Sequence, residues 1–172
     1  MSNEVNMDFK RFIKHLFTTE SAVKRHFSDA SLSNITSAVA DAERQHRGEI
    51  CFAIEAALEP GQVLRGITPR QRAMEIFAQQ RVWDTELNSG VLIYVLFADR
   101  AVEVIADRGI YDKTAQNHCW ENIVKAMENA FSAGRFEDGA VDGIKAVATE
   151  LINYFPASDH NPDELPNNVV LV

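Results

Sequence analysis

The chain has 172 residues, 46% of them apolar and 24% charged, which suits one globular domain with a real core. A formal charge of −8 and a pI near 5.1 exclude a general affinity for nucleic acid, whose phosphates reward a basic face. The longest apolar run, Gly90 to Ala98, is too short to span a bilayer, and Glu4 and Asp8 occupy the N-terminus where a signal peptide would be apolar.

A cytoplasmic setting follows as the expectation, with Cys51 and Cys119 as reduced, structural thiols. In chain order, Met7–Phe17 places Phe9, Phe12, Ile13, Leu16 and Phe17 at helical spacing among Lys10, Arg11, Lys14 and His15. This is a basic amphipathic helix. It serves either as a peripheral membrane or partner contact or as a helix packed on the domain with its basic side in solvent. Ser28 opens a second helix with Leu32, Ile35, Val39 and Ala42 on one face and Gly48 as its stop.

Glu49–Leu58 mixes β-branched, aromatic and small residues over strand length and is predicted as the first strand. Thr68-Pro69 is a cap followed by proline at the first helical position, starting a helix that runs to about Val82 with Ala73, Phe77 and Met74 inward. Gly90–Ala98 is apolar throughout, as for a strand covered on both faces. Asp99-Arg100 reads as a tight turn, and Ala101–Asp107 returns as the third strand. Two helices follow, one with Trp120, Ile123, Val124, Met127 and Phe131 in a stripe, the other with Ile144, Val147, Ala148, Leu151 and Phe155.

The element order predicts an α/β fold, a three-layer α/β/α sandwich whose small mixed sheet contains a central β-hairpin. The first two strands are expected to run parallel through a right-handed crossover. The organisation is residues 1–27 as basic helix and linker, 28–155 as the domain, and 156–172 as an extended or disordered tail. Val169–Val172 at its end could add to a sheet edge. The chain is read as a monomer.

P-loop, G-x-G-x-x-G, G-x-S-x-G and H-E-x-x-H motifs are all missing from the sequence, and the five histidines show no metal-ligand spacing. The acids carry more information. With Asp99-Arg100 as a two-residue turn, Leu96 faces Glu103, Leu92 faces Asp107 and Gly90 faces Gly109. Asp84, Glu86, Asn88, Asp107 and Asp112 then converge at one end of the sheet, a hard-cation ligand set for calcium or magnesium. Arg108 would stand beside it as a phosphate contact. Glu103, flanked by Val102 and Val104, is expected to face solvent on an incompletely covered sheet, with pairing to an arginine as the alternative.

Asn88-Ser89-Gly90-Val91-Leu92-Ile93, then Asp99-Arg100, then Ile105-Ala106-Asp107-Arg108-Gly109-Ile110 resemble the core of the TPM domain family. Arg47-Gly48-Glu49-Ile50 upstream and Ala130–Gly139 (AFSAGRFEDG) downstream are similar to that family's strand entry and helix junction, so the resemblance covers roughly Ser28 to Phe155. It implies an α/β/α sandwich, with calcium binding, acid-phosphatase activity or an accessory role among its members. At Ala106–Gly109 the chain departs from the Gly-Tyr-Gly-like turn of many members. Two functions therefore stand beside the plainer one of a partner-binding domain with no metal. One is a cation-binding module that engages a protein partner. The other is a metal-assisted phosphoester hydrolase.

Overall fold

The computed structural model describes residues 8–114, 118–159 and 163–172. The central apolar run becomes β2 (Gly90–Leu96), buried at every position, as is β1 (Glu49–Glu55) beside it. The two pair in parallel, Glu49 with Gly90 through Glu55 with Leu96. They are joined by α4 (Pro60–Leu64) and α5 (Pro69–Gln79), whose N-cap Thr68 and Gln71 form the reciprocal capping box. Together with β3 (Ala101–Ala106) and β4 (Val170–Leu171), the sheet order is β3-β2-β1-β4. The tail thus covers the β1 edge, with Ala53 paired to Val170 and Ile54 to Leu171.

Alternation along the strands divides the core in two. Ile50, Phe52 and Ile54 with Val91, Ile93 and Val95 share one cluster with side chains of α3 (Asp29–Glu43), α7 (Cys119–Ser132) and α8 (Phe136–Tyr154). Cys51, Ala53, Leu92, Tyr94 and Leu96 form the other with Ala73 and Ile76 of α5. Helices on both faces of a mixed sheet make the predicted sandwich. On α5, Ala73 and Ile76 are buried and Phe77 packs against the same cluster as expected, whereas Met74 is exposed.

The hairpin register corrects the sequence reading. Leu96 faces Ala101, Tyr94 faces Glu103 and Leu92 faces Ile105. The turn is the four residues Phe97–Arg100, closed by the Arg100 N–H on the Phe97 carbonyl at 3.1 Å with Arg100 in the left-handed region at φ 54°. The slip is two residues, so every side chain keeps its expected face. Glu103 faces α5 and pairs with Arg70 at 3.4 Å, against the expectation of a solvent-facing acid. Gly90 is required by packing, because a Cβ there would lie 1.9 Å from the Val82 carbonyl oxygen.

The segment after β3 is a helix. α6 (Arg108–Thr114) starts at once, its first turn received by the Asp107 carbonyl, which accepts from Ile110 and Tyr111. The N-terminal region forms α1 (Phe9–Phe17) and α2 (Glu20–His26). Among the described residues no helix is long and apolar enough to cross a membrane, and both cysteines are free.

Candidate metal centre

The acids expected on the rim engage separate partners. Asp84 pairs with Arg81 three residues earlier. Glu86 pairs with Arg47 at 3.3 Å. The Asn88 side-chain oxygen accepts from Arg108 Nη2 at 3.1 Å and Nε at 3.3 Å, so the expected phosphate contact holds the expected ligand. One Asp107 oxygen accepts from the Arg108 N–H at 2.7 Å; the other is buried with no hydrogen-bond partner among the described residues. Asp112 lies exposed on α6. Among the described residues, no three of Asp84, Glu86, Asp107 and Asp112 bring ligand oxygens within 4.8 Å of one another.

A different set does. Ligand oxygens of Glu43, Glu49 and Asp163 all lie within 4.8 Å of one another. Glu43 ends α3 and accepts from the Ile50 N–H at 2.9 Å, which ties the helix terminus to the second residue of β1. Glu49 opens β1 and is 3% exposed. Its two oxygens accept from Glu164 N–H at 3.2 Å and Leu165 N–H at 3.1 Å, which draws the tail, and with it Asp163, across the strand end. Glu164 in turn accepts from the Glu86 N–H at 2.9 Å, so the cluster adjoins the predicted rim.

Burial and mutual proximity dominate the electrostatics of the cluster. Burial, then the nearby charges of Glu49 and Asp163, raise Glu43 from 4.5 to about 8, although the Ile50 hydrogen bond opposes them. Burial raises Glu49 from 4.5 to about 7 against its two backbone donors, with Asp163 and Glu164 adding to the rise. Shifted this far by burial, both carboxyls hold their protons to higher pH than an exposed glutamate does. A hard divalent cation would take all three as ionised oxygen ligands and complete its shell with water. The donor set therefore fits calcium or magnesium.

Sequence reading missed this trio because its members come from a helix end, a strand start and the tail, the last more than a hundred residues from the other two. The legible signal was Glu49, a charged residue heading a strand destined for full burial.

The TPM domain model matches residues 24–150, and the chain belongs to that family. The NMR structure of BA42 protein from the psychrophilic bacterium Bizionia argentinensis is 32% identical, with a TM-score of 0.74, covering 84% of this chain and 94% of its own. The N-terminal domain of a P. gingivalis protein, 17% identical with a TM-score of 0.58 over 77% of this chain and 82% of its own, shares the fold. No curated protein matches.

Proposed function

We propose that this TPM domain is a cation-binding accessory module of the calcium type, with Glu43, Glu49 and Asp163 as the protein ligands. The observation that carries this reading is the approach of three carboxylates, one fully buried, at the sheet end where the tail crosses β1. Cation binding there would neutralise the cluster and tighten the tail, so that the surface offered to a protein partner depends on the ion. A cytoplasmic setting belongs to the same proposal and is supported by the two free thiols.

The hydrolase reading has less support. It asks Arg108 to hold a phosphate, and that guanidinium is hydrogen-bonded to Asn88 among acidic neighbours. A phosphoryl group would need the cation in place first. Calorimetric titration with calcium and with magnesium tests the proposal. Binding should weaken at least about tenfold in Glu49→Gln and in Glu43→Gln, and should hold in Asp84→Asn with Asp112→Asn. No heat up to millimolar cation, or unweakened binding in the two glutamate variants, would defeat it.

A further inference from the structure

The helix α1 is mounted with its polar side inward. Arg11 grips Asp99 of the hairpin turn, Nε at 3.1 Å and Nη2 at 2.8 Å to Oδ2, and Nη2 also reaches the Ile67 carbonyl at 2.8 Å. His15 is 4% exposed; its Nδ1 accepts from the Leu58 N–H at 2.9 Å, so Nε2 carries the hydrogen that meets Asp99 at 2.9 Å. Burial pulls Asp99 toward its neutral form, yet the hydrogen bonds from Arg11 and His15 and the charge of Arg11 hold it below the usual carboxylate range. The sequence reading of this segment as a packed helix with a solvated basic side is therefore corrected at Arg11 and His15.

What remains outside is apolar. Phe9 is 65% exposed, Ile13 37%, Leu16 52% and Phe17 74%. At positions i, i+4, i+7 and i+8 they form one stripe, and Lys10 and Lys14, both exposed, flank it one turn apart. Rotating the helix to bury the stripe would strand Arg11, His15 and Asp99 without partners, so the latch fixes the apolar face outward. Residues 8–27 carry five basic residues against two acidic ones, a net +3 in a chain of net −8.

From this arrangement we infer that α1 is an interfacial helix that seats the protein on an anionic bilayer, apolar stripe among the acyl chains and Lys10 and Lys14 at the headgroups. The four side chains expose on the order of 400 Å², about half of what each side of a stable protein–protein interface buries. That is too little for a dimer with a second copy. A bilayer needs no complementary groove, and the basic flank matches anionic lipid in a protein that is otherwise repelled by it.

The test is sedimentation of the full chain with phosphatidylcholine vesicles, with and without about 30% phosphatidylglycerol, and light scattering of the lipid-free protein. The chain should pellet with the anionic vesicles and be released at about 1 M salt, where the Debye length is near 3 Å. Phe9→Ser with Phe17→Ser should weaken binding about tenfold or more. Lys10→Glu with Lys14→Glu should remove the preference for anionic lipid. No pelleting with anionic vesicles, equal pelleting with both vesicle types, or an unaffected Phe9→Ser, Phe17→Ser variant would overturn the inference. A lipid-free dimer that this variant converts to monomer would overturn it too, in favour of self-association.

Discussion

Raising the pH of metal-free protein from about 6.5 to about 8.5 should destabilise it, and a divalent cation should remove the loss. In the unfolded chain Glu43 and Glu49 ionise near 4.5, whereas in the fold burial holds them to about 8 and about 7. The folded state thus binds more protons across this window. Stability fully present below pH 4.5 is lost as pH climbs through those values. His46 runs the other way. Buried at 1% exposure, it is lowered from 6.5 to about 4, so its contribution is present above 6.5 and lost as pH falls toward 4. The two effects oppose each other on the acid side, and only the carboxyls act above about 6.5.

At that pH Glu43 still holds about 2 kcal/mol of proton-linked stability and Glu49 about 1 kcal/mol. Solvent reaching the partly exposed Glu43 reduces the sum to about 2 kcal/mol. For a chain of this size that is a fall in Tm of roughly 4–8 °C. Circular-dichroism melts in chelator at the two pH values measure it, alongside Glu43→Gln with Glu49→Gln, in which the fall should vanish. Calcium at about a hundred times its Kd should restore about 2.7 kcal/mol at the higher pH. A Tm that holds or rises with pH in chelator would refute the proton-retaining cluster. A fall that calcium leaves untouched would refute the cation site while sparing the electrostatics.

Four further outcomes follow from the packing. Arg72→Met should cost about 3–5 kcal/mol by urea denaturation, because it leaves the buried Glu55 carboxylate, held by Arg72 Nε at 2.9 Å, with only the Tyr94 hydroxyl at 2.6 Å. Tyr94→Phe, which removes only that hydroxyl, should cost about 1–2 kcal/mol in the same assay. Gly90→Ala should abolish soluble expression or cost more than about 4 kcal/mol, since β2 cannot retreat from the Val82 backbone without leaving the sheet; a near-normal melt would show that the loop before β2 yields. Asp99→Ala should raise hydrogen exchange of the α1 amides by about tenfold or more while β2 keeps its protection.

Much of the fold was legible because local pattern and tertiary role coincide. The unbroken apolar run Gly90–Leu96 is what a strand covered on both faces demands, and the stripes Ile123–Met127 and Ile144–Leu151 point each helix at the sheet. The hairpin register slipped because the turn depends on Arg100 entering the left-handed region, a conformation no residue type at that position announces.

Other features were decided only by tertiary structure. The polarity of α1 follows from Asp99, 88 residues away, which drew Arg11 inward and left Phe9 and Phe17 outside; helical periodicity reports two faces and does not say which one is buried. The carboxylate trio has the same origin. Glu43, Glu49 and Asp163 share no motif, and meet because α3 stops where β1 starts and the Glu49 carboxylate collects the backbone of the returning tail. Sequence alone determined the elements and the faces of the sheet, because those depend on spacing within each segment. Long-range hydrogen bonds, invisible to spacing, decided which charges meet.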